Sequence, residues 1–180
     1  MPTILTHPAV PVAIALSLGR GVVSGRLLGA GVFASMLPDL DVIGFHIGIP
    51  YAADFGHRGF SHSILFAALV AVAGACAFRF LRSTALRSFL FLFVTTVSHG
   101  VLDAFTNGGL GVAFLWPWSN ERFFAPVQVI EVAPIGMGRF ASARGVAVLW
   151  SEIIWVWLPL IGLAAVAAST RRRLTQTPGT

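Results

Sequence analysis

Two histidines and an arginine fall within six residues in His57-Arg58-Gly59-Phe60-Ser61-His62-Ser63, in a chain that is 56% hydrophobic and only 11% charged. Four further places carry the same kind of chemistry: His7, Leu37-Pro38-Asp39-Leu40-Asp41, His99-Gly100-Val101-Leu102-Asp103 and Glu152. His99 and Asp103 stand at i and i+4, on one face of a helix, where they can ligate one divalent ion together or lock helices through a His–Asp hydrogen bond. His57 and His62 are five apart, which suits a loop residue followed by one in the first turn of a helix. Asp39 and Asp41, two apart in extended backbone after a proline, point to opposite sides. One can then ligate metal while the other orients a histidine or serves a second ion. Glu152 in an apolar helix is costly to bury unpaired, so it is either functional or paired with Arg144 or Arg58. His7 reads equally as a ligand or as a solvated terminal residue, and His46 as a loop or interface histidine.

Imidazole and carboxylate donors without thiolates select Zn²⁺, Mn²⁺ or Fe²⁺, zinc first. The candidate metal ligands are His7, Asp39, His57, His62, His99 and Asp103, more than one catalytic zinc uses. The excess points to two or more ions, or to ions plus a general base, with Asp41 or Glu152 as ligand or base, and about one to three ions are expected in all. Arg58 would clamp an anionic substrate such as a phosphate, or else contact a lipid headgroup.

The elements that position these residues are apolar helices. A soluble domain is about a quarter charged, whereas this 180-residue chain has a mean hydropathy of +0.83. Its twelve cationic residues are all arginines scattered between apolar runs, so the net charge of +5 is no nucleic-acid footprint. Five segments follow: Pro8 to Leu18, Val23 to Leu37, Phe60 to Phe78, Ser88 to Phe105 and Gly145 to Ser169. The first two are short and, with Gly25, Gly29 and Gly31, are expected to pack as a tight hairpin. The third is expected to span, capped by Ser61. Pro38 ends the second, and Pro159 kinks the fifth. Trp116, Trp118, Phe123 and Phe124 suit a membrane interface or cover the end of the bundle. Cys76 stands alone in an apolar run, which excludes a disulfide framework. The start of the sequence has no basic residue and does not read as a secretory signal.

Eight arginines (Arg20, Arg26, Arg79, Arg82, Arg87, Arg171, Arg172 and Arg173) fall on one side of this five-segment arrangement. Arg58, Arg122, Arg139 and Arg144 fall on the other. The positive-inside rule makes the first side cytoplasmic. Every candidate ligand then lies toward the opposite, periplasmic face, although none was used to set the topology. The domain is a single one over 1–170, followed by a basic stop and disordered tail over 171–180.

The three motifs Leu37 to Asp41, His57 to Ser63 and His99 to Thr106 resemble, in order, those of the LexA-regulated, membrane-bound metal-dependent hydrolase family of bacteria (YdjM/YbcI-like). The resemblance covers the chain from His7 to about Glu152, with Ser61 where the family often has threonine. It implies a multi-pass bacterial inner-membrane protein with hydrolase activity. The His and Asp pattern is also similar to that of zinc-dependent phospholipase C, whose His-x-x-x-Asp ligand pair maps onto His99 and Asp103.

The expectation is therefore an all-α integral membrane bundle of four to five helices that holds divalent metal toward its non-cytoplasmic face. Its expected activity is hydrolysis of a phosphoester on an anionic small molecule or a lipid, with membrane lipid as the surrounding partner. Two rivals use the same residues: a transporter or channel for ions or protons, and a structural protein whose metal staples helices.

Overall fold

The computed structural model describes residues 1–133 and 142–176, and these form a helical bundle with no extended strand among them. The helices are α1 (Ala9–Leu18), α2 (Gly25–Met36), α3 (Ile43–His46), α4 (Ile64–Cys76), α5 (Ala85–Ala104), α6 (Ala143–Glu152) and α7 (Leu158–Gln176). Hydroxyl caps start four of them: Ser24, Ser63, Thr84 and Ser142 accept from the backbone N–H three residues on. The cap of α4 is Ser63 and not Ser61, because the Ser61 hydroxyl is engaged by Asp41.

Which segments can cross a bilayer differs from the sequence reading. Among the described residues three helical stretches are long and apolar enough: Gly25–His46, Ala85–Ala104 and Ala143–Thr175. The regular α-helix does end at Met36, just before Pro38, but the helical path continues through a 3₁₀ turn over Leu37–Val42 into α3. A proline near the start of a turn loses no hydrogen bond there. The Phe60 to Phe78 segment instead shortens to the 13 residues of α4, because 57–63 is drawn into the polar end of the bundle. That is below the length a lone span requires.

The expected α1–α2 hairpin also gives way to other partners. Nothing lies near where a Cβ on Gly25 or Gly29 would stand, whereas one on Gly31 would collide with the Phe91 ring of α5. A Cβ on Gly74 of α4 would strike Leu92 in the same way. Small residues therefore bring α2 and α4 against α5, around a core of Leu27, Ala34, Ala71, Phe91 and Leu92. α1 packs chiefly on α7. Near Pro159 the last helix widens into a π turn over Ile153–Trp157, which accommodates the missing N–H. The helix then runs through the arginine triplet to Gln176, so Arg171 to Arg173 do not stop it. The expected disorder over 177–180, and Arg139, lie outside the described residues.

The helices alternate in direction, and this sorts the chain into two ends. At one, Arg26 Nη1 donates to Phe80 O (3.1 Å), Arg171 to Leu16 O (3.3 Å), and Ser24 Oγ to Leu81 O. The other end gathers His7, the 37–63 region and the C-terminus of α5. The irregular segment 106–133 lies over it, with Ala113 N–H donating to Arg58 O and Ile64 N–H to Phe114 O, both at 3.0 Å. Trp116 stacks edge-on against Phe55 and Phe60 there, while Trp118 projects outward, 77% exposed.

Candidate metal centre

α5 buries one face along Phe91, Leu92, Thr95, Thr96, His99, Gly100 and Asp103, the periodicity of a helix packed on one side. The threonine hydroxyls on it are satisfied internally, donating to Leu92 O. His99 and Asp103 then project from the same face, both fully buried. His99 Nδ1 lies 2.7 Å from the Ser35 carbonyl of α2. A carbonyl only accepts, so Nδ1 carries the proton and Nε2 is a free lone pair. That lone pair faces Asp39 Oδ1 (3.4 Å) and His62 Nε2 (3.0 Å). His62 Nε2 in turn lies 3.3 Å from Asp103 Oδ2. Asp39, His62, His99 and Asp103 thus each offer one ligand atom, all within 4.8 Å of one another.

A second group, Asp41, His57 and His62, meets the same criterion and shares His62. Asp41 sits at its centre, 2.6 Å from His57 Nδ1 and 3.3 Å from His62 Nδ1, and accepts from Ser61 Oγ (2.7 Å) and Arg58 N–H (3.1 Å). The two aspartates separate because the 3₁₀ turn, rather than extended backbone, carries them: Asp39 turns toward His99 and Asp41 toward the 57–63 loop. His7 belongs to neither group. It stacks flat on His99 (centroids 3.6 Å apart), with Nε2 at 3.6 Å from Asp39 Oδ2 and 3.9 Å from Asp103 Oδ1.

The donors fit a cation. Both oxygens of Asp39, both of Asp103 and both nitrogens of His7 are buried without a hydrogen-bond partner. A buried carboxylate in that condition costs several kcal/mol. Two groups stand against this charge at Asp103: Arg58 Nε lies 3.0 Å from Asp103 Oδ2, a charge contact whose N–H is not aligned as a hydrogen bond, and His62 Nε2 lies 3.3 Å from the same oxygen. Burial with the adjacent His99 holds His7 down to about 3, so its approach to the carboxylates is that of a neutral ring with a lone pair to give. For His62, burial works against the charged ring, but the Asp103 and Asp41 carboxylates outweigh it and raise the pKa to about 9. A proton on His62 thus stands where a metal would otherwise balance the same carboxylates.

Arg58 and Glu152 take positions other than those expected from sequence. Arg58 is fully buried with φ 64, a left-handed conformation costly for a side chain with a Cβ. Its guanidinium is occupied by Asp103, Thr106 Oγ1 (2.9 Å) and Gly108 O (2.9 Å), so it presents no open fork to an anion. Glu152 lies outside both ligand groups and pairs with neither Arg144 nor Arg58. Its carboxylate accepts from Thr3 Oγ1 (2.8 Å), Thr6 Oγ1 (2.7 Å) and the Thr3 N–H. It therefore fastens the segment that carries His7.

Several participants left little trace in the sequence. Ser61 and Thr106 lie inside or beside the histidine motifs, and hydroxyls so placed were the available signal. Ser35 acts through its carbonyl, which any residue possesses. Thr3 and Thr6 became legible only once Glu152 was found beside them. Arg122 donates to the carbonyls of His57, Ala52 and Ala53, holding the loop from outside.

No solved structure is significantly similar to this chain. Inner membrane protein YbcI of Escherichia coli (strain K12) is 51% identical over 162 residues, covering 88% of this chain and 92% of that protein. The YdjM inner membrane protein family matches residues 1–174. With three helical stretches able to cross a bilayer and a His/Asp cluster that could hold a metal ion, the chain is a multi-pass inner-membrane protein and belongs to the YdjM family.

Proposed function

We propose that this protein is a membrane-bound, metal-dependent hydrolase acting on a phosphoester, with a lipid headgroup as the favoured context. The observation that carries this reading is the group Asp39, His62, His99 and Asp103, whose buried carboxylates lack hydrogen-bond partners. These four side chains would hold a divalent ion such as zinc, which would supply Lewis-acid activation of water. The rest falls to the protein. The Ser35 carbonyl and Asp41 fix the His99 and His62 rings from behind. Asp41 is the carboxylate placed to orient a proton on the His57 or His62 ring beside the group, since Glu152 is closed off by Thr3 and Thr6. Arg58 would meet an anionic substrate by exchanging the Gly108 carbonyl for it.

Full burial of His99 and Asp103 favours a second reading, in which the metal only staples helices. The transport reading is weaker, because the group lies at one end of the bundle, where α2 and α5 finish, and transport sites lie near the midplane. In this reading the site faces the periplasm, which reporter fusions at Gly109 and Gln176 test by reporting opposite sides of the membrane.

The deciding experiment is metal analysis of the purified protein and of His99→Ala, followed by a screen of phosphomonoesters, phosphodiesters and phospholipids with and without chelator. Hydrolysis by the wild type that chelator and His99→Ala both abolish is the expected result. Stoichiometric metal without turnover leaves the staple, and protein without metal in metal-replete buffer removes both.

A further inference from the structure

The end of the bundle opposite the metal centre is built from arginine without acid. The seven acidic residues are Asp39, Asp41, Asp54, Asp103, Glu121, Glu131 and Glu152, and none lies in the segments that form this end. A groove of about 670 Å³ opens there between α1, α2 and the turn joining α4 to α5. Its floor is apolar, with Leu16, Val23 and Leu28, and its rim carries Arg20, Arg26 and Arg82. Arg26 is held in place by the Phe80 carbonyl and by the Phe80 ring, 5.0 Å from its guanidinium carbon, neither of which neutralises it. Arg82 stands at φ 52, so the turn keeps an arginine at a position that glycine would occupy without strain.

An apolar trough with uncompensated guanidinium groups at its mouth, at the level where helices leave the membrane, matches a molecule with acyl chains and an anionic phosphate. We propose that this groove is a binding site for one anionic phospholipid, its chains along Leu16 and Leu28 and its phosphate between Arg20, Arg26 and Arg82. Basic pockets between membrane helices recognise lipid headgroups by this combination of charge and depth. The site is independent of the metal centre and of any reaction there.

The test is native mass spectrometry of the full-length protein in mild detergent with equal amounts of phosphatidylglycerol and phosphatidylcholine. The expected result is one retained phosphatidylglycerol per chain, at least about tenfold over phosphatidylcholine, with the preference falling by about fivefold for each of Arg20→Gln, Arg26→Gln and Arg82→Gln. Arg79→Gln lies at the same end but off the groove, and should leave the preference unchanged. Glycerol 3-phosphate, which carries the anion without acyl chains, should not displace the lipid. Equal retention of the two lipids by the wild type overturns the site. So does an Arg79→Gln loss as large as that of Arg20→Gln, which would indicate general surface attraction. Should the Arg26 or Arg82 variant fail to fold, Arg20→Gln decides alone, since Arg20 is exposed on the rim.

Discussion

Among the described residues two arginines have positive φ, Arg58 and Arg82, and they lie at opposite ends of the bundle under opposite rules. Arg58 is wholly buried, and its guanidinium is spent on Asp103, Thr106 and Gly108. Arg82 stands on an exposed rim with no carboxylate in the surrounding segments. At the first end the surplus is negative and desolvated: Asp39, Asp41 and Asp103 gather around buried histidines, with Arg58 and a proton on His62 as the balancing charges. At the second it is positive and open to headgroups and water. The same residue type is therefore a structural counter-ion in one place and a candidate lipid contact in the other. Burial, more than sequence context, assigns the role.

The contrast is sharpest at Asp103. Asp103→Asn removes the charge facing buried Arg58 and one ligand of the metal group together. The expected cost is about 3–5 kcal/mol, read as a large fall in thermal midpoint, with bound metal dropping far below one ion per chain. An equally stable variant that still bound metal would break the comparison, because the two ends would then tolerate charge imbalance alike.

Next in size is the pH dependence of metal uptake. The folded pKa of His62 is raised to about 9, above its ordinary value near 6.5. The metal-free protein therefore keeps the stability contributed by that proton below about pH 6.5 and loses it as pH rises through about 9. Metal must displace the same proton, so affinity should climb about tenfold per pH unit between those limits and level off above. Titration calorimetry at three pH values checks the slope, and a flat profile would remove His62 from the ligand set.

Asp41→Asn leaves all four atoms of the first group in place but loosens the backing of His62 and His57. Metal affinity should weaken about 10- to 100-fold, as for other outer partners of ligating histidines. A complete loss would instead make Asp41 a ligand of a second ion.

The smallest effect separates the two strained arginines. Arg82→Gly relieves a left-handed φ at an exposed turn and should raise stability by about 1 kcal/mol. Arg58→Gly relieves the same strain but strands Asp103, so its thermal midpoint should fall. Were both substitutions to stabilise, the Arg58–Asp103 contact would be worth less than the strain it maintains.

Much of this arrangement was legible in the chain before folding was considered, because a membrane protein has few ways to hide polar groups. Charged residues in apolar segments announce themselves, and arginine positions sort the segment ends. The i, i+4 spacing of His99 and Asp103 carries over because a helix keeps its own geometry wherever it packs. The lengths of the spans were less legible. Pro38 reads as a stop, yet a 3₁₀ turn absorbs it, and the polar stretch before Ile64 is pulled out of its helix by contacts with residues 20 positions away, such as Asp41 to Ser61.

The sequence alone determined the class of the fold, the apolar segments, the donor types and the end of the bundle on which they gather. These depend on composition, helical period and the cost of charge in lipid, which are local quantities. Only the tertiary structure decided which donors meet. It drew Asp39 to His99 and Asp41 to His57, spent Arg58 on Asp103, and turned Glu152 to the threonines of the N-terminal segment. Those pairings join residues as far apart as Thr3 and Glu152, 149 positions along the chain. No spacing rule reaches that distance; the packing of α2 and α4 on α5, and of α1 on α7, sets it.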